Sequence, residues 1–331
     1  MAGMGNDTTT STGLGLGLTL AVASAASFGL SGPLARGLLD VGWSPGAVVL
    51  TRIAIASLVI APVAIRALRG RWGALREHKR LVLLFGALSV AGAQFAYFSA
   101  VERMDVAPAL LIEYTAPAAV VVWLWLRRGE RPRLLTVAGA GLAALGLVLV
   151  LDLLSGADLD PVGVLWALIA MTGAASYFLL GASSPANLPP VALAGTGLVT
   201  GTLALGALGA VGILPMEATS ASPEYAGTAV AWWLPLVGLG VVTAGIAYWT
   251  GIAAARRLGS RLASFVALLE VVAGVVFAWL LLDQLPGPLQ LVGGVLIVAG
   301  VVVVKLGEGP RAARRRERRA VAPLRGVPER S

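Results

Sequence analysis

VAPALLIEYTAPAAVVVWLWL, Val106 to Leu126, is an apolar run of about twenty residues with one charge, Glu113, near its middle. A helix of that length crosses the roughly 30 Å of hydrocarbon in a bilayer. A membrane strand would alternate polar and apolar residues, and this run does not. An ionised group at mid-bilayer costs about 2.5 to 3.5 kcal/mol on insertion scales, so Glu113 needs a partner, water or a proton.

The rest of the chain has the same character. Of its 331 residues 57% are hydrophobic and 13% charged, and the mean hydropathy is +0.85. Soluble chains carry about a quarter charged residues. Ten spans are expected: Leu14 to Gly32, Pro45 to Ile65, Leu81 to Val101, Val106 to Leu126, Leu134 to Leu151, Val162 to Leu180, Val191 to Ile213, Val230 to Ala253, Leu262 to Leu282 and Leu289 to Lys305. No Lys or Arg precedes the first apolar run, so the start does not read as a cleavable signal and stays as span one.

The net charge of +8 is concentrated in alternate loops. All but Arg36, Arg52 and Arg103 of the 25 basic residues fall between spans two and three, four and five, eight and nine, or after span ten. The other loops hold most of the acids, including Asp40, Glu102, Asp105, Asp152, Asp158, Asp160, Glu217, Glu224 and Asp283. The positive-inside rule then puts both termini in the cytoplasm of a cell (inner) membrane protein, and the basic tail, 306–331, lies against anionic lipid rather than nucleic acid.

Sliding the chain on itself by 154 residues lays Trp125 on Trp279, Pro132 on Pro286, Gly139 on Gly293 and Gly146 on Gly300. At nearby offsets Ala96-Tyr97 matches Ala247-Tyr248, and Ala26 to Phe28 matches Ala175 to Tyr177. The chain divides into a cytoplasmic N-terminal tail 1–13, a first repeat 14–151, an extracytoplasmic linker 152–161, a second repeat 162–305 and the basic tail. Each repeat has five spans, an odd number, so the second enters from the opposite side. Inverted repeats around a midplane site belong to secondary transporters; a duplicated folding scaffold is the plain alternative. Gly197 and Gly201 of span seven, and Gly293, Gly294 and Gly300 of span ten, suit close helix packing.

Three charged residues fall inside spans: Arg52, Glu113 and Glu270. Glu113 and Glu270 lie near the middle of helices that the repeat makes equivalent, and both are expected to face one central cavity. Pro117 leaves the carbonyl of Glu113 without its helical donor, which predicts a kink there. Glu113 binds a proton or a substrate amine, or else neutralises Arg52 in a static pair. Gln94, Tyr97, Thr115, Tyr177, Tyr248 and Trp249 are candidates for hydrogen bonds and aromatic walls around substrate, with packing or the interface belt as the simpler role for each.

Nothing in the sequence points to a metal or cofactor. There is no Cys, and the single histidine, His78, lies in a basic loop without ligand-spaced neighbours. No phosphate-binding loop, HExxH helix or GxSxG elbow appears, so no ATP motor or enzyme is expected. A small-molecule substrate, membrane lipid and protons are the partners left open, with monomer and homodimer equally compatible. A non-transporting scaffold or sensor, and a membrane-embedded lipid-modifying enzyme, are the rival classes.

Ile112 to Pro117, Gly129-Glu130 followed by Pro132, and Leu268 to Glu270 resemble the EamA-type drug/metabolite transporter superfamily. Thr51-Arg52 and the Glu-aromatic-Thr-small-Pro pattern at Glu113 to Pro117 look most similar to its amino-acid (threonine/homoserine) exporter branch. The resemblance covers nearly all of the chain and implies ten helices in two inverted repeats, with a cavity lined by spans one, three, four, six, eight and nine. It implies an exporter of small metabolites, amino acids or related compounds. The second half departs from the pattern: Val271 stands where a Pro usually follows the acid, and Asp283-Gln284 where Gly-Glu is usual. That asymmetry favours Glu113 as the working acid.

Overall fold

Helix boundaries fall where the local chemistry marks them. Ser44 caps α3 (Pro45–Leu68), its hydroxyl accepting from the Ala47 N–H at 3.3 Å, with Pro45 in the first turn where a missing N–H loses nothing. Asp160 does the same for α10 (Pro161–Ala182), accepting from the Val162 N–H at 2.9 Å. That bond, with Arg103 beside it at 3.3 Å, holds the Asp160 carboxyl below its usual range. α2 (Ser31–Asp40) and α11 (Pro190–Ala210) both end on a glycine at positive φ, Gly42 at +95° and Gly212 at +75°. The N–H of the residue after each reaches back five residues, Trp43 to the Leu38 carbonyl and Ile213 to the Leu208 carbonyl, closing the last turn.

The computed structural model describes residues 7–128, 133–150, 160–182, 185, 187–251, 253–254 and 269–307. Gly129, Glu130, Pro132, most of the acidic linker, Arg256, Arg257, Arg261, the start of span nine and the basic tail from 308 lie outside them.

In chain order the remaining elements begin with α1 (Asp7–Gly29), α4 (Trp72–Glu77), α5 (Lys79–Leu84), π1 (Phe85–Gly92), α6 (Ala93–Arg103), α7 (Val106–Glu113), α8 (Ala116–Arg128) and α9 (Leu134–Val150). After α11 come a hairpin of β1 (Glu224–Tyr225) and β2 (Thr228–Ala229), α12 (Trp233–Val237), π2 (Gly238–Ile246), α13 (Leu269–Leu282) and α14 (Pro288–Gly307). Six helical runs among the described residues are long and apolar enough to span: Gly15–Asp40, Pro45–Leu68, Lys79–Arg103, Pro161–Gly181, Pro190–Ala210 and Trp233–Gly251. Leu134–Leu149, Leu269–Leu282 and Pro288–Gly300 are apolar but shorter.

The edges differ from expectation in two instructive places. Span one runs on to Asp40 because the Leu34 N–H reaches the Leu30 carbonyl, carrying the helix over the bend between α1 and α2. Span eight begins at Trp233 rather than Val230, because the preceding residues turn through the hairpin.

Large side chains such as Leu58 (74% exposed) and Leu134 (85%) point outward, while Phe98, Leu38, Ile53 and Ile112 are fully buried. A bundle apolar outside as well as inside suits lipid. Tryptophans mark both ends: Arg127 lies 5.2 Å over the Trp123 ring at one, and Trp43 stacks on Trp232 at 6.1 Å at the other.

The repeat is written into the packing. A side chain on Gly146 would strike the Gly293 carbonyl at 2.6 Å, and one on Gly300 the Gly139 carbonyl at 2.6 Å. Because Gly139 and Gly146 correspond to Gly293 and Gly300, α9 and α14 exchange reciprocal contacts, as partners across a two-fold axis do. The two π segments correspond as well: the 154-residue shift carries 85–92 onto 239–246, inside π2. Wide turns of this kind are rare overall and frequent at functional sites.

Candidate functional site

The Glu113 helix breaks where Pro117 led one to expect. α7 stops at Glu113, Tyr114 and Thr115 form a turn, and α8 starts at Ala116. The Thr115 N–H bonds the Ile112 carbonyl at 3.1 Å in a tightened turn. Its hydroxyl adds a second bond to that carbonyl at 2.7 Å and reaches the Met171 sulfur of α10 at 3.0 Å. Glu113 therefore sits half-buried on the last residue of a half-helix.

Glu270 approaches from the other repeat on α13, also half-buried. Gly29 of α1 packs directly on this stretch: a side chain there would meet the Glu270 carbonyl at 2.8 Å and the Ala273 Cβ at 2.7 Å. Tyr114, on the turn of one repeat, lies close enough to the Glu270 carboxylate of the other for the two side chains to interact. The two glutamates and Arg52 are near enough to act on one another electrostatically, and Tyr97, Tyr114 and Tyr248 share that field.

Arg52 on α3 is 4% exposed. It donates to the Thr243 carbonyl in π2 at 3.2 Å and lies over the Phe98 ring at 5.3 Å, while its Nε is buried without a hydrogen bond. Among the described residues its guanidinium has no carboxylate within 4.0 Å, so it does not form a contact ion pair with Glu113. Its positive charge balances the acids from behind a carbonyl and an aromatic face.

Tyr97 is buried against Gly32 and Phe98, and Tyr248 meets Phe28 edge-on at 5.2 Å. Gln94 on α6 keeps a buried side-chain oxygen without a donor. Tyr177 on α10 contacts Phe85 of π1 at 5.5 Å and feels the Glu270 charge. Tyr177 is also 40% exposed, and Trp249 is 64% exposed on the outer surface of its helix. Sequence reasoning missed Tyr114, although it follows Glu113 directly, as well as Phe98 and the Thr243 carbonyl. No motif marks a main-chain oxygen or an ordinary core ring.

The site thus draws Arg52, Tyr97, Glu113 and Tyr114 from one half and Tyr177, Tyr248 and Glu270 from the other. Each half also matches one family, the EamA-like transporter family, over residues 15–152 and 161–306. The chain belongs to the EamA-like transporter family. It is accordingly a multi-pass membrane protein of a transporter family, working on small molecules in a lipid environment. It is 28% identical over 255 residues to the threonine/homoserine exporter RhtA of Salmonella typhimurium, in strains SL1344 and LT2, covering 74% of this chain and 77% of that one. A crystal structure of a protein given no further description superposes with a TM-score of 0.56 at 25% identity, covering 89% of this chain and 96% of the other.

Proposed function

We propose that this chain is a secondary transporter that exports small metabolites, amino acids or related compounds, from the cytoplasm by alternating access. In this reading ten helices cross the cell (inner) membrane with both termini cytoplasmic, and the two repeats rock about the site they share. Glu113, with Glu270 in support, receives a proton or a substrate ammonium. Tyr97, Gln94, Thr115, Tyr177 and Tyr248 line the approach. Trp249, on the outer surface, is left to the lipid interface.

The observation that carries the reading is that Glu113 and Glu270, one from each repeat, lie within electrostatic reach of each other, with Tyr114 beside Glu270. The breadth of substrates follows the resemblance to RhtA and stops at its class. Purified protein in liposomes, loaded with candidate amino acids, tests it. Wild type moves at least one of them, and Glu113→Gln abolishes the flux while the protein stays monodisperse. Undiminished flux in Glu113→Gln would reject the site. An imposed pH gradient that leaves the wild-type flux unchanged would reject proton antiport alone.

A further inference from the structure

At the acid-bearing end of the bundle, four polar links run from element to element and return to their start. Arg36 of α2 donates to the Val101 carbonyl at 2.8 Å and the Met104 carbonyl at 3.3 Å, at the corner between α6 and α7, while Asp40 accepts from its Nε at 2.8 Å. At the start of α7 the Val106 N–H has no cap from its own Asp105. It donates instead to the Gln284 side-chain oxygen at 3.2 Å, on the corner between α13 and α14. The α13 end is then tied to the hairpin, whose Ala226 N–H donates to the Leu281 carbonyl at 2.8 Å. The hairpin closes the circuit: the Tyr225 hydroxyl donates to the Leu34 carbonyl of α2 at 2.7 Å.

Tyr225 is buried, 7% exposed, with its ring filling the space that Gly37 leaves on α2. Burial, with Asp40 nearby, pushes its hydroxyl well above the usual tyrosine range, so it stays a donor at any physiological pH. The elements so tied, α2, α6, α7 and α13, are the ones that carry or flank Tyr97, Glu113 and Glu270. Two of the four links, Gln284 to Val106 and Tyr225 to Leu34, cross between the repeats. Those two, along with the bonds from Val41 to Ser44 onto Pro215 to Thr219, must break for the repeats to separate fully at this end.

We infer that this ring is the gate that seals the site from the acid-bearing side, and that the hairpin at 224–229 is its removable strap. The inference rests on the alternating-access reading and adds which bonds that motion has to break. The two links that cross between the repeats are neutral hydrogen bonds with a net worth of about 1 kcal/mol each, a strength that holds a closed state without locking it.

The absence of Cys makes the test direct. Leu110 is 4% exposed on α7, one turn toward the acid-bearing end from Glu113, packed against Gly274 of α13. Leu110→Cys is expected to react slowly with a membrane-impermeant maleimide applied at that end. Adding Tyr225→Phe or Gln284→Leu should speed labelling by about three- to tenfold each, the effect of losing one such bond, and more in combination. The exposed Thr228→Cys should label fast in every background and serves as the folding control. Labelling of Leu110→Cys that is unchanged in both single variants and the double, with thermal midpoints intact, overturns the ring. Labelling is read separately from flux: faster labelling with no solute moved by wild type supports the ring and removes the transport reading. Flux with labelling unresponsive in all variants removes the ring and leaves transport.

Discussion

Tyr114 is the residue that links the two acids of the proposed site. Its side chain lies beside the Glu270 carboxylate across the repeat boundary, where a hydrogen bond from its hydroxyl to that charged group would be worth about 1.5 to 3 kcal/mol. Tyr114→Phe keeps the ring and removes that bond, so liposome flux is expected to fall about tenfold or more while the purified protein elutes and melts like wild type; unchanged flux would separate Tyr114 from function. Glu113, Glu270 and Arg52 were legible in the sequence because a charge in hydrocarbon is conspicuous. The partner of Arg52 was not. A cation in lipid asks for an acid, whereas the fold supplies the Thr243 carbonyl and the Phe98 ring. Main-chain acceptors and aromatic faces carry no mark in a sequence.

Between elements, the clearest departure in the sequence finds its physical setting at the end of α13. Asp283, where the related motif has Gly, sits at φ +57°, a conformation that glycine adopts freely and a side chain resists by about 1 to 2 kcal/mol. Gln284 beside it makes the long-range bond to Val106. Asp283→Gly should therefore raise the unfolding midpoint in detergent, by the equivalent of about 1 kcal/mol, and leave that bond in place; a lowered midpoint would mean that the Asp283 carboxylate has a stabilising partner. The break between α7 and α8 was foreseeable from Pro117, and the close crossing of α9 on α14 from the matched glycines. The π segments were not, since residues 85–92 and 238–246 read as ordinary apolar helix. Their register is set by packing, with Gly86 lying against Thr200 of α11 and Gly240 against Ile55 of α3.

At the scale of the molecule, charge decides orientation. If the basic loops face the cytoplasm, Thr228→Cys on the hairpin labels from outside intact cells, and Arg71→Cys, before α4, labels only after the membrane is permeabilised. The reverse pattern would invert the export reading. Composition and the internal match were enough to expect a helical membrane bundle with repeats, because lipid permits few alternatives to a self-satisfied helix. That same rule limits how such a bundle moves, since no N–H in hydrocarbon can be left unpaired on the way. In the two π segments each carbonyl has a second donor one residue nearer than the one it holds, so it can pass from one to the other and stay bonded throughout. The wide turn can then glide along the span as a dislocation glides through a crystal, turning Tyr97 or Tyr248 beyond it while the helix never opens.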